Sequence, residues 1–207
     1  MSILKGAFDR PVMRFFDRES HAIEFVASGR ARFRALESFQ VAEGARQDAS
    51  EGIGRVARAP VRFVRMGDNP VEAELEVVAK NPVYVLCFSD ATADRARLAE
   101  QFGKYMVRIE DPNVLNTAVR DIRFVSLPSD RTIANIQIAQ VDYDKGAVRA
   151  VPSLISAVPL ACFQKPERFA HEKEWRIAVK LSGDKAGAPD HLDAIILIEQ
   201  KLKIQRL

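Results

Sequence analysis

The chain has few of the residues that mark common chemistries. Of 207 residues, two are cysteine, three are histidine and one is tryptophan. Two cysteines cannot build a disulfide framework or a four-cysteine zinc site. Cys87 and Cys162 both follow apolar stretches, where a thiol behaves as a small hydrophobe. His21, His171 and His191 show no metal-ligand spacing. The phosphate loop ending in Gly-Lys-Ser/Thr, G-x-G-x-x-G, H-E-x-x-H, G-x-S-x-G and paired C-x-x-C are all missing. Their absence sets aside P-loop, Rossmann, zincin and hydrolase-elbow chemistry. No apolar run approaches the roughly 20 residues of a membrane helix, the longest being 83–88 and 194–198. The first ten residues hold no apolar signal core, so a reducing cytoplasm is the expected location.

What is present points to one domain over 1–207. Apolar residues make up 47% of the chain and charged residues 29%, enough to bury a core without metals or disulfides. The formal charge of +3 is too small to argue for nucleic acid, but its make-up is skewed: 21 arginines to 10 lysines, with 11 of the arginines in residues 1–70. The guanidinium fork suits bidentate recognition of phosphate and carboxylate. An arginine-rich codon usage would produce the same count.

Periodicity predicts strands and helices in irregular alternation. Residues 11–16 read as a strand with Val12, Arg14 and Phe16 on one face and Met13 and Phe15 on the other. A helix over about 20–28, capped by Ser20 and stopped by Gly29, leads to a second strand over 30–36 carrying Arg32 and Arg34. Residues 40–54 read as a long polar loop of the kind that forms lids. Strands follow at 54–59, 61–66 and 71–79, with a turn at 67–70. The continuous apolar run 83–88 marks a strand buried on both faces, the centre of the sheet. Helices are expected over 92–102 and 112–120, and strands over 104–110, 133–143, 175–181 and 194–198, with a turn at 144–146; 153–161 is ambiguous. The pattern is α+β, with a mixed, largely antiparallel sheet.

The distinctive segment runs from Gln164 to Val179. From Glu172 onward it alternates, with Trp175, Ile177 and Val179 on an apolar face and Glu172, Glu174 and Arg176 on the other. Two carboxylates beside a guanidinium fit acid/base or oxocarbenium-stabilising work, because like-charge repulsion raises one pKa. A solvated Glu-Arg cross-pair has the same sequence and little energy.

Lys165-Pro166, Phe169 and Glu172-Lys173-Glu174-Trp175-Arg176 resemble the C-terminal hallmark of a widespread bacterial family of unknown function. Arg14-Phe15-Phe16, Arg32-Phe33-Arg34-Ala35-Leu36 and Val85-Leu86-Cys87-Phe88-Ser89 resemble its earlier blocks, while its Trp and His-Tyr segment is replaced by residues 98–103. More distantly, the order is similar to ADP-ribosyltransferase-like enzymes: a strand bearing an Arg, a helix ending in Gly, a second strand, and a late Glu-x-Glu. That resemblance implies NAD as substrate, Glu174 and Glu172 as catalytic residues, and Arg14, Arg32, Arg34 and Ser38 as binding the dinucleotide. It also implies a transferase or NAD glycohydrolase of toxin or phage-defence type, with a protein or nucleic-acid acceptor and no membrane. The alternatives are a non-catalytic interaction module and a nucleic-acid-binding protein using Arg55, Arg58, Arg62 and Arg65.

Overall fold

Alternating apolar residues assemble one large sheet. The computed structural model describes residues 3–39, 53–61, 71–78, 81–143 and 160–207. In chain order the elements are β1 (Ile3–Lys5), β2 (Val12–Phe16), α1 (Glu19–Ser28), β3 (Arg30–Ala35), β4 (Ile53–Val61), β5 (Val71–Val78), β6 (Val83–Asp90), α2 (Arg95–Phe102), β7 (Tyr105–Ile109), α3 (Pro112–Arg120), β8 (Arg123–Phe124), β9 (Ile133–Gln140), β10 (Glu174–Leu181), β11 (His191–Ile195) and β12 (Ile204–Arg206). Short 3₁₀ turns occupy Leu36–Phe39, Leu160–Phe163 and Glu167–Glu172. The fold is α+β. Ten of the described strands share the sheet, paired antiparallel except for β1 with β9, and β4 and β5 form a separate two-stranded antiparallel sheet.

β6 is the axis of the sheet. Along one edge it pairs continuously with β10, from Ser89 opposite Glu174 to Val83 opposite Lys180. Its other edge is divided between two strands. β3 pairs at Tyr84 and Val85, and β2 pairs at Ser89 and Asp90. From there β2 continues to β7 and β12, while β3 continues to β11 and β8. Leu86, Cys87 and Phe88 lie between the two partners, so the sheet forks at this point.

Strand parity sorts the core. Tyr84, Leu86 and Phe88 of β6 and Trp175, Ile177 and Val179 of β10 face the main core, which α1 and α3 cover with Phe25 and Leu115. On the opposite face Val83, Val85 and Ala178 pack against Leu36, Cys162 and Phe163. Met13 and Met106 meet Leu98 of α2 in a third cluster. Among the described residues no helix is long and apolar enough to cross a membrane.

Several boundaries differ from expectation. α1 starts one residue earlier than expected; Arg18 takes the cap position with no side-chain bond, so Ser20 lies inside the first turn. The last long strand is His191–Ile195 rather than 194–198, because antiparallel pairing with β3 sets Leu192 opposite Phe33 and Ala194 opposite Ala31. β1, β8 and β12 are edge strands of two or three residues, too short to show a period. Most of the predicted 40–54 loop, the end of the 61–66 strand, the turns at 67–70 and 144–146, and most of 153–161 lie outside the described residues, as do the side chains of Arg55, Arg58, Arg62 and Arg65.

Candidate active site

The fork exposes backbone that a continuous sheet would satisfy, and buried carbonyls need a donor. At Cys87 that donor is Arg14, whose Nη1 donates to the Cys87 carbonyl at 2.7 Å. The guanidinium sits among three rings, with its carbon 5.3 Å from the Phe16 centroid, 5.6 Å from Phe88 and 5.9 Å from Phe25. Attraction of the cation to the ring faces offsets part of its lost hydration. Burial in this surround pulls the Arg14 pKa down to about 10, which leaves it charged at neutral pH. Its Nε has no partner, and no carboxylate among the described residues pairs with it.

Glu172 and Glu174 arrive from the other side of β6 by a local device. The 3₁₀ turn Glu167–Glu172 follows Pro166 and is closed by Lys173 in a left-handed conformation (φ 43°), after which β10 begins. Lys173 is held there by its carbonyl, which accepts from Asp90 N at 2.9 Å, and by its ammonium, 3.1 Å from Thr92 Oγ1. Strict alternation therefore starts at Glu174, and Glu172 belongs to the turn. Neither carboxylate lies on a solvated strand face: Glu172 is 2% exposed, Glu174 4% and Arg176 0%.

A cation unites the two carboxylates. Lys165 Nζ is 2.8 Å from Glu172 Oε2 and 2.9 Å from Glu174 Oε2. Glu174 also receives Arg176 Nε at 2.8 Å and Nη2 at 3.2 Å. Two cations therefore hold this carboxylate, one of them through a two-pronged bond. Glu172 accepts only from Lys165, and its Oε1 has no partner among the described residues. The titrations diverge accordingly. Burial and the neighbouring Glu174 charge push Glu172 up to about 7. Glu174 is held far below the ordinary carboxylate range, because Arg176 and Lys165 outweigh its burial. Burial raises the Cys87 thiol well above its ordinary value, so it stays protonated.

These groups share a cleft of about 180 Å³ at the fork. β6 supplies its floor through Val85, Cys87 and Ser89. β2 and α2 line one side with Phe15 and Phe102, β3 and its 3₁₀ turn line the other with Arg32, Arg34 and Phe39, and Lys165, Glu172 and Glu174 close the end. Of the residues singled out from sequence, Arg14, Arg32, Arg34, Glu172 and Glu174 line this one cleft. Ser38 does not: its hydroxyl donates to the Ala35 carbonyl at 2.7 Å and ties down the 3₁₀ turn. Arg176 does not face the cleft either, since its guanidinium is spent on Glu174 and the Cys162 carbonyl. Arg32 is shared with Asp193 at 3.0 Å, whereas Arg34 lies over Phe39 without a carboxylate among the described residues.

Sequence reasoning missed Lys165 as the shared cation and the aromatic lining. The Lys165-Pro166 pair was a signal, but the six residues between Lys165 and Glu172 hid its reach. Among the described residues no three His, Cys, Asp or Glu side chains converge as a metal site. No protein-family profile, curated protein or solved structure matches the chain.

Proposed function

We propose that the cleft cleaves the nicotinamide–ribose bond of NAD and passes the ADP-ribosyl group to water or another acceptor. The observation that carries this reading is the meeting of one open, protonatable carboxylate, one fixed anion and a part-buried guanidinium with no carboxylate partner among the described residues in a single cleft. When the C1′–N bond breaks, its electron pair returns to the pyridinium nitrogen and an oxocarbenium-like ribose forms. A fixed anion stabilises such a centre. Glu174 fills that role by accepting the ribose 2′-hydroxyl at a lone-pair site left beside Arg176 and Lys165. Glu172, through its open Oε1, takes the proton of the incoming hydroxyl as the new C1′–O bond forms.

Size bears on how the substrate lies. At about 180 Å³ the cleft is below the roughly 300–1,000 Å³ of sites that enclose a whole ligand. It takes a ring and its sugar beside Arg14. The pyrophosphate then lies at the mouth, along Arg34 and Arg32, where their forks suit phosphate oxygens.

Nicotinamide release from NAD, followed chromatographically, tests this. Glu172→Gln is expected to lower release about 10²–10⁴-fold, the usual worth of a positioned base. Equal release from the variant, or none from the native protein with water, protein and nucleic-acid acceptors supplied, would leave the charged groups of the cleft a purely architectural cluster.

A further inference from the structure

Beyond the cleft, and independently of how it is read, a second feature carries chemistry. β3 places Arg30, Arg32 and Arg34 on one face while Ala31, Phe33 and Ala35 point inward. Residues two apart on a strand repeat at roughly 6.7 Å. The row is exposed: the Arg30 and Arg32 side chains are 54% and 58% accessible. Register extends it sideways, because Arg30 stands opposite Ile195 of β11, and Ile195 stands opposite Arg123 of β8. Arg123 is exposed as well.

Few salt bridges among the described residues neutralise the β3 row. Asp193 sits set back between Arg32 and Arg30, at 3.0 and 3.6 Å, and is 16% accessible. Glu37, beyond the end of the row, is paired with Lys185. Among the described residues Asp193 is the one carboxylate in a salt bridge with these four arginines, while Asp121 and Glu199 line a hollow beside Arg123. The row also leads somewhere: Arg32 and Arg34 line the cleft, and Arg34 lies 6.0 Å from the Phe39 ring, which lines it too.

We infer that the outer face of β3–β11–β8 docks a single-stranded polynucleotide, with its backbone along Arg30, Arg32, Arg34 and Arg123 and one base reaching Phe39 at the cleft mouth. Regularly pitched guanidiniums match a chain of phosphates, each able to take a two-pronged bond. An aromatic ring beside a basic track is the arrangement that holds unstacked bases. A duplex keeps its bases stacked and out of reach of Phe39. An acidic protein partner would need an apolar anchor; within the row Ile195 is half-buried, and the exposed Val125 and Leu197 lie past the strand ends rather than along the arginines.

Fluorescence anisotropy of labelled oligo(dT), without NAD, tests this separately from any activity of the cleft. Binding is expected to weaken steeply between about 50 and 200 mM salt. Arg30→Glu/Arg123→Glu, which changes neither cleft-lining arginine, is expected to weaken it at least tenfold and to reduce the salt slope by about 1.4, or 0.7 per lost phosphate contact. Arg18→Glu/Arg206→Glu, the same charge change off this face, should leave most of the binding intact. If the first variant does not fold, Arg30→Gln/Arg123→Gln replaces it. Absence of binding at about 50 mM salt, equal loss in the two double variants, tighter binding to oligo(dA)·oligo(dT) duplex, or equal displacement by oligoglutamate would each overturn the inference.

Discussion

Replacing Lys165 by Met removes the one cation that Glu172 and Glu174 share, at 2.8 and 2.9 Å, and leaves an apolar stem of similar length. Breaking a buried ion pair from one side costs about 3–5 kcal/mol. The informative part is how that cost varies with pH. Glu172 titrates in the folded protein near 7 against an ordinary 4.5. A raised carboxyl favours the folded state below the unfolded pKa, and that contribution is lost as pH climbs to the folded pKa. In the native protein the loss is complete soon above pH 7. Without Lys165, which lowers the Glu172 pKa both by charge and by hydrogen bond, the folded carboxyl holds its proton to higher pH. Stability then keeps falling by about 1.4 kcal/mol per pH unit above 7. Lys165→Met should therefore be more destabilising at pH 8 than at pH 5 by about 1.4 kcal/mol, or about 3–6 °C in melting temperature for a chain of this size. Urea and thermal denaturation at the two pH values measure it. Equal destabilisation at both, or a larger effect at pH 5, would refute the shared-cation account.

Three other outcomes follow from the same geometry. Arg176→Met strips Glu174 of a two-pronged partner and should destabilise by about 3–5 kcal/mol in urea unfolding, while the double variant Glu174→Gln/Arg176→Met recovers part of that because no unpaired charge remains. Nicotinamide release by the native protein should rise with pH through about 7 as Glu172 ionises, and a flat profile between pH 5 and 8 would remove Glu172 from the reaction. Gly29→Ala should cost more than about 1 kcal/mol by thermal unfolding, since φ is +68° and a Cβ would run into the Ile196 backbone.

Much of the fold was legible because it follows from local alternation. The strands at Val12–Phe16 and Arg30–Ala35, the doubly buried Val83–Asp90 and the inward face of Trp175, Ile177 and Val179 are written in period two. The fork was not legible. It depends on which strand pairs with which end of β6, and pairing across many residues of chain leaves no local trace. Burial of the charged face was hidden for a related reason: alternation separates two faces but does not say whether the polar one meets water. Glu172 reached the site despite a misjudged strand start, because the left-handed Lys173 turns the chain where an extended residue would have carried it past. Ser38 was misplaced because a hydroxyl after a strand serves equally to close a 3₁₀ turn, as it does here.

The arginines separate into chemically distinct states that the composition merged. Arg176 is fully engaged and holds Glu174 as an anion; Arg30 and Arg32 lean on Asp193; Arg14 is buried with its Nε unpaired. An unmatched buried polar group costs about 1–3 kcal/mol, so a fold keeps few of them. Others here, Trp175 Nε1 and Gln200 Oε1, are isolated atoms away from the cleft lining. At the fork the incompleteness is concentrated: among the described residues Arg14 Nε and Glu172 Oε1 have no hydrogen-bond partner and Arg34 no carboxylate, beside a Glu174 held by two cations. Two cations fix Glu174 in place, while its neighbours keep bonding capacity unused by the described residues. A structural cluster has reason for the first and none for the second, which is why the open groups, more than the buried pair, single out this cleft as the candidate site.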